Sequence, residues 1–472
     1  MHARSIDVCT YGAVALLAAL TACSDKPTAP QTPITASSAA SRGAHDRDDD
    51  DRRGNDDDRV QCAPDNAGLT LPRGFCALIF ADLVVNGRPA AARHMAITPK
   101  GDVFVAINAP RNAQPAFGIV ALRDNNGDGQ ADEQMQFSAG LGGSGMAWED
   151  GWLYFGANDR VLRFRLPAGQ LTPIGASETV VSGLPNTGDH ISKTVVLGDH
   201  HSLFVNVGSA SNACQVQNRI AQSPGVTPCP ELPIRAGIWK FDARRTGQTQ
   251  ASGERYATGL RNTVALAMNS RSDDLWGVPH GRDMLFENWP QFFSAAEDAV
   301  LPAEEFLRIT RGSDAGWPYC YFDAVFEHRR VLAPEYGGDG QRTSGGPSIN
   351  CARFNQPVVT FGAHWAPNGL HFYSGKQFPR RYRDGAFIAF HGGFDRAPLP
   401  NEGYQVQFLP FGNNGRPSAR AEEFANGFAG SSGPLPATAL HRPVGVTEGP
   451  DGSLYISDDR GGRIYRVIYT GR

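Results

Sequence analysis

The chain has 472 residues and nearly balanced charge, with 44 Lys and Arg against 48 Asp and Glu and a formal net charge of −4. Its basic residues are spread along the chain, so the electrostatic footprint of a nucleic-acid binder is missing. At 41% hydrophobic it can bury a large core, and its length is high for one domain unless the fold belongs to a long-chain class such as a propeller.

Residues 1–22 carry a basic start and a short apolar run, Val14 to Leu20, too short to span a bilayer. They read as a secretion signal. The closing box Leu20-Thr21-Ala22-Cys23 resembles that of bacterial lipoproteins, which implies a lipid anchor on Cys23 and a place in the cell envelope; Ser24 after the cysteine points to the outer membrane. An ordinary signal peptide with an incidental cysteine is the plainer alternative. Residues 23–61 offer almost nothing apolar, and Asp46 to Arg59 alternates aspartates with arginines. Such a segment cannot offset its ordering entropy and is expected to be a solvated tether. The globular part is expected over 62–472.

Three stretches then repeat one pattern: Pro99-Lys100-Gly101-Asp102-Val103-Phe104-Val105, Glu149-Asp150-Gly151-Trp152-Leu153-Tyr154-Phe155 and Pro450-Asp451-Gly452-Ser453-Leu454-Tyr455-Ile456. Each is a polar glycine turn entering a strand of β-branched and aromatic residues, the signature of a β-hairpin. Looser copies lie at 198–205, 269–276 and 374–388, giving six. Gly101, Gly151 and His201 are spaced by fifty residues, with no helical period between them. Such a period predicts blades, so the expected fold is an all-β, six-bladed propeller. The spacing widens between Asn269 and Ser374, and the chemistry is expected near that stretch.

Besides Cys9 and Cys23 there are six cysteines: Cys62, Cys76, Cys214, Cys229, Cys320 and Cys351. An even count in an exported chain suggests disulfides, and six cysteines allow about fifteen connectivities. Pairing sequence neighbours closes the shortest loops. No pair has metal-site or haem-attachment spacing.

Four groups of residues could carry chemistry. Asp189-His190-Ile191-Ser192-Lys193 supplies an imidazole able to take a proton near neutral pH and a neighbouring carboxylate that could orient it. Gly259-Leu260-Arg261-Asn262-Thr263 brings a planar fork of donors and an amide to a strand's lip. Pro279-His280-Gly281-Arg282-Asp283 lets backbone carbonyls approach a hard cation. His364, His391-Gly392-Gly393-Phe394-Asp395-Arg396 and His441-Arg442-Pro443 would make an anion-binding rim if their loops met. Each group taken singly is equally a surface histidine or a structural ion pair. A further loop, Asp124-x-Asn126-x-Asp128-Gly129-x-x-Asp132, spaces oxygens as a calcium loop does, but Met135 stands where the bidentate glutamate belongs. It reads as a structural calcium site or as a polar hairpin tip.

The ordered set Asp-His, Gly-Leu-Arg-Asn, Gly-Arg-Asp, Pro-x-Glu-Glu-Phe, Gly-Trp-Pro-Tyr-Cys, His-Gly-Gly-Phe-Asp-Arg and Arg-Pro-Val-Gly-Val resembles the glucose/sorbosone dehydrogenase family. Members of that family are six-bladed quinoproteins that bind pyrroloquinoline quinone (PQQ) and calcium at the axial end. The resemblance implies His190 as general base with Asp189 steadying it, and Arg261 and Asn262 on the cofactor. It also implies Arg396 and Arg442 on the cofactor's carboxylates, calcium at the carbonyls of Gly281 and Arg282, and His364 and Lys193 at the cofactor rim. The implied reaction is oxidation of a sugar or polyol, with electrons leaving to a cytochrome or a membrane quinone. Two other readings stay open: a calcium-dependent lactonase-type hydrolase, and a binding propeller without catalysis.

Overall fold

The computed structural model describes residues 60–471 apart from Asn86, 109–117, Ala139, 341–344, 347–348 and 431–433. The signal segment and almost all of the tether lie outside the described residues. Six sheets follow one another along the chain, antiparallel except for one short parallel edge strand in each of the second and third. Blade 1 holds Ala91–Ile97, Val103–Asn108, Gly118–Arg123 and Glu133–Phe137. Blade 2 starts with Gly143–Glu149, Trp152–Ala157 and Val161–Arg165, and blade 3 with Val195–Gly198, Ser202–Val207 and Gly237–Asp242. Blade 4 starts with Ala265–Asn269 and Asp274–Val278, and blade 5 with Pro367–Phe372 and Ala386–His391. Blade 6 combines Pro443–Glu448, Leu454–Asp458 and Arg463–Tyr469 with the early strand Phe75–Asp82, which pairs Phe75 with Tyr469. That pairing of the two ends closes the ring and leaves no open gap between first and last blade.

All six expected hairpins join the first and second strands of a blade, as Glu149 opposite Trp152 and Asn269 opposite Asp274 show. The first strands of successive blades pack side by side around the axis. Neighbouring blades share apolar layers; Trp276 and Phe306 of blade 4, for example, sit in one cluster with Leu370, Phe372 and Phe390 of blade 5. Trp276 stacks on Phe306 at 5.0 Å between centroids, and truncating such a ring would cost about 3–5 kcal/mol.

The cysteines pair as sequence neighbours, 62 with 76, 214 with 229 and 320 with 351. The Cys214–Cys229 bridge ties an insertion that follows the second strand of blade 3, and Cys320–Cys351 ties the long excursion of blade 4. Wide spacing in the sequence therefore marks decoration of blade 4, not the whole site.

Candidate active site at the axial mouth

The hairpin tips lie at one end of the propeller, so whatever precedes a first strand or follows a second strand gathers at the other. His190, Arg261-Asn262, His364 and Arg442 precede the first strands of blades 3 to 6; Ser209, His280 to Asp283 and Asp459 follow second strands, and His391 ends one. Register breaks in three first strands add to this set. The breaks at Ala92/Met95, Gly143/Gly145 and Pro367/Gly369 fall at Arg93 and His94, Ser144 and Asn368, where a bulge re-aims a side chain. Asn368 receives His94 Nε2 on its carbonyl at 2.7 Å and His280 Nε2 on its amide oxygen at 3.0 Å. Blades 1 and 5 are not neighbours, so this link crosses the channel.

His190 is held by one residue. Its Nδ1 lies 3.1 Å from the Ser209 carbonyl and 2.9 Å from the Ser209 hydroxyl, and that hydroxyl donates onward to the Ser211 carbonyl at 2.7 Å. Both Ser209 oxygens are therefore acceptors, so the ring proton sits on Nδ1 and the lone pair on Nε2, for which no hydrogen-bond partner occurs among the described residues. Burial, with the nearby charge of Arg261 and with His280, pushes the ring well below its ordinary pKa of 6.5. The imidazole is neutral at neutral pH and can accept a proton. Gly208 is needed beside it: a Cβ there would stand 2.6 Å from His190 Cβ and 2.9 Å from Asn262 Oδ1.

Arg261 is buried and anchored by four hydrogen bonds. Nε and Nη2 hold Asn212 O and Oδ1 at 3.1 and 2.9 Å, Nη1 holds Gly281 O at 2.7 Å, and Nη2 also holds Asp283 Oδ2 at 3.0 Å. A guanidinium has five donors, which leaves one N–H of Nη1. Asp283 also receives Arg219 at 3.1 Å, and it faces His364 Nδ1 at 3.9 Å. The guanidinium of Arg261 and the His364 ring outweigh burial and hold this carboxyl well below the usual range. In turn Asp283 and the Asp298 carbonyl raise His364 to about 9 despite its burial. His364 therefore carries a charge in the middle of Asp283, Asp395 and Asp298. These carboxylates and Glu287 form two overlapping groups in which a cation could be held, Asp283-His364-Asp395 and Glu287-Asp298-Asp395.

On the opposite wall Arg93 pairs with Asp459 at 2.6 Å, and His391 Nε2 meets the same carboxylate at 2.7 Å. Arg442 donates to the carbonyls of His391 and Gly392 at 3.0 and 2.7 Å. Burial lowers His391 to about 4, so this corner has two guanidiniums against one carboxylate. Arg93 reaches Ser144 Oγ at 3.4 Å and Ser144 reaches Ser192 Oγ at 3.3 Å, which joins this wall to the His190 loop.

Several sequence expectations are corrected by these contacts. Asp189 does not touch the His190 ring; its carboxylate takes Arg219 and Asn218 at 3.1 and 3.2 Å. Lys193 is no rim residue but is fully buried, its ammonium on the carbonyls of Pro185 and Ile191 at 2.8 and 2.7 Å. Arg396 braces Pro400, Ala299 and Ala363 carbonyls and pairs with Glu402. The Gly281 carbonyl is turned to the Arg261 cation, and the Arg282 side chain is paired with Glu335. In the loop 124–133, Asp124 accepts from the amides of Gly127 and Gly129, Asp128 from Gln130 and Asp132 from Asn125. These bonds fit the polar hairpin tip that the sequence offered beside a structural calcium site. It joins the third and fourth strands of blade 1, away from the mouth.

Sequence reasoning missed Ser209, Asp283 as a carboxylate hub, Arg93, Asp459 and Asn368. The available signals were glycines beside inner-strand residues, in Gly143-Ser144-Gly145 and Asn368-Gly369, which mark bulges.

The sequence profile of the TrAA12-like family matches residues 81–470. The fold is similar to a Carbohydrate-Active Enzymes Family AA12 protein of Trichoderma reesei, with a TM-score of 0.66 and 19% identity over 85% of this chain and 98% of that one. It is also similar to the holo form of the pyranose dehydrogenase PQQ domain of Coprinopsis cinerea, with a TM-score of 0.65 and 18% identity over 85% and 97% of the two chains. An uncharacterized protein of Borreliella burgdorferi is 28% identical over 217 residues, 45% of this chain and 48% of that relative, so the match spans about half its length. The chain, a six-bladed propeller, belongs to the TrAA12-like family.

Proposed function

We propose that the protein is a PQQ-dependent dehydrogenase that oxidises the CH–OH group of a sugar or polyol at the axial mouth. The observation that carries this reading is His190: a neutral imidazole with its tautomer fixed by Ser209 and with no partner for Nε2 among the described residues, in a mouth that also holds Arg93, Arg261 and Arg442. The donor set fits an oxygen-rich anion. Arg93 and Arg442 share one carboxylate, one N–H of Arg261 has no partner among the described residues, and Asn262 lies beside it.

When bound, PQQ supplies a quinone able to accept a hydride from the substrate carbon. Arg261, Asn262, Arg93 and Arg442 would hold it. His190 Nε2 takes the hydroxyl proton, so the alcohol loses a proton to the protein as its C–H hydride departs, and a carbonyl product remains. Ser209 keeps the Nδ1 proton in place throughout and prevents the ring from turning. The positive charge that develops on the imidazole lies close to Arg261 and His280, which favours its prompt release of the proton. A calcium ion at the Gly281 carbonyl would meet the Arg261 guanidinium that already donates to that oxygen, so no step is routed through calcium.

The lipoprotein-like box at Cys23 supports a lipid-anchored protein of the bacterial envelope that passes electrons to a cytochrome or a membrane quinone. The reading is tested by titrating the purified chain with PQQ and following the cofactor's absorbance. Saturable binding that Arg261→Ala weakens at least tenfold supports it; equal binding by both chains contradicts it.

A further inference from the structure

A cavity of about 390 Å³ opens between blades 2 and 3 at the hairpin-tip end, opposite the axial mouth. Its apolar wall is Trp152 with Tyr154. The Arg163 guanidinium lies 4.4 Å from the Trp152 ring centroid and is itself fixed by Glu178 at 2.6 Å and by the Ala243 and Arg244 carbonyls at 3.0 and 3.1 Å. Tyr154 donates to the Ala243 carbonyl at 3.2 Å. These bonds run from blade 2 to blade 3, so the wall is cross-braced.

The remaining lining groups are Glu149, Asp150, His201 and Arg244. No side chain of these four makes a hydrogen bond or close ion pair with another described residue, although Arg244 and His201 lie near enough to act on Glu149 electrostatically. Two of them are displayed on backbone that glycine would adopt more easily. Asp150 has φ +50°, and His200 and His201 have φ +55° and +60° at the centre of their hairpin turn. Side chains in that region are strained, and such outliers persist where the surroundings hold them.

We propose that this cavity is a second binding site, and that its ligand is a neutral saccharide unit. Carboxylates accept from sugar hydroxyls, a guanidinium donates to them, and an imidazole does either, so the rim offers both halves of a hydroxyl's hydrogen bonding. The half-buried Trp152 ring, with Arg163 held over it, supplies the apolar contact that the C–H surface of a pyranose takes. With Arg163 already paired to Glu178, the two rim carboxylates face the Arg244 guanidinium and the His201 ring, a mixed set of donors and acceptors and not a cluster of one sign, and the volume falls in the range of small-molecule pockets. Strand Ser202–Val207 runs from His201 to the Ser209 end, so at about 3.3 Å per residue the two sites are roughly 20 Å apart. A sugar in this cavity does not touch His190, and the proposal stands apart from the axial reading. Its consequence is retention: one unit of a glycan is held on the far face while the mouth stays free.

The test uses the full chain labelled with 5-fluorotryptophan, whose seven tryptophans report separately by fluorine NMR. The Trp152 resonance is assigned with Trp152→Phe, and cellobiose is the probe. The expected result is a saturable shift of the Trp152 resonance in the wild-type chain and in His190→Ala alike. The double variant Glu149→Gln with Arg244→Ala should weaken that titration at least tenfold, with the urea midpoint unchanged. A Trp152 resonance that stays still at millimolar cellobiose, that shifts equally in the double variant, or that answers to sulfate or calcium in place of the sugar overturns the proposal.

Discussion

Nδ1 of His190 sits 3.1 Å from the carbonyl oxygen and 2.9 Å from the hydroxyl of Ser209, and these two acceptors together set which nitrogen of the ring faces the channel. Ser209→Ala removes one acceptor and keeps the other. Turnover should fall by about tenfold with KM within twofold, because the ring spends more time misaligned while substrate contacts persist. Steady-state kinetics on the variant check this, and an unchanged kcat would remove Ser209 from the positioning role.

The depressed pKa of His190 has a definite sign in the pH profile. The base works as the neutral ring, and burial together with Arg261 keeps it neutral below the ordinary value of 6.5. The profile of kcat/KM should therefore stay flat from pH 8 down through 6.5 and fall only at more acid pH. An unshifted imidazole would have lost half its activity at 6.5.

Asp283 neutralises Arg261 and Arg219 and sustains the charge of His364. Asp283→Asn leaves the buried Arg261 without its counter-ion, which destabilises by about 3–5 kcal/mol. Urea unfolding should show a lower midpoint with an unchanged slope, and His364 should titrate closer to 6.5.

Glu304 is buried with its carboxyl on the amides of Gly281 and Ala366 at 2.8 and 3.2 Å, and burial raises it from 4.5 to about 7. The folded chain thus holds this proton more tightly than the unfolded chain does. The stabilisation is complete below pH 4.5 and is lost as pH rises towards 7, at most on the order of 3 kcal/mol. Comparing urea midpoints at pH 5 and pH 8 should show that Glu304→Gln flattens this dependence.

The Cys214–Cys229 bridge closes a segment with a sequence separation of 15 that carries Arg219 to the mouth. Replacing both cysteines with serine should cost about 3 kcal/mol by loop-closure entropy. It should also raise KM more than it lowers kcat, because Arg219 loses its fixed position between Asp189 and Asp283.

Much of the fold was legible because hairpins advertise themselves locally. Gly101, Gly151 and Gly452 take positive φ in their turns, and each is followed by a buried strand in the observed architecture. The strand that closes the ring was not legible, since the pairing of Phe75 with Tyr469 joins residues nearly four hundred positions apart. At the mouth, charged residues next to a strand start were visible in the sequence, and His190, Arg261, Asn262, His364 and Arg442 are in the network. What could not be read was which way each side chain turns. Asp189 and Lys193 flank His190 within three residues, yet one pairs with Arg219 and the other is buried on two carbonyls. Arg93 and Asp459 reach the axis through a bulge and a strand end, which composition does not show, and Asn368 is marked only by the glycine that follows it.

The central claim is that His190 Nε2 takes the substrate proton in a PQQ-loaded mouth, and dye-linked turnover tests it most directly. The purified chain, supplied with PQQ and a panel of aldoses, should reduce the dye only when the cofactor is present. His190→Ala should bind PQQ as the wild type does and lose turnover by about 10²–10⁴-fold. Undiminished turnover in His190→Ala, or no turnover with any aldose by a wild-type chain that has bound PQQ, would contradict the account.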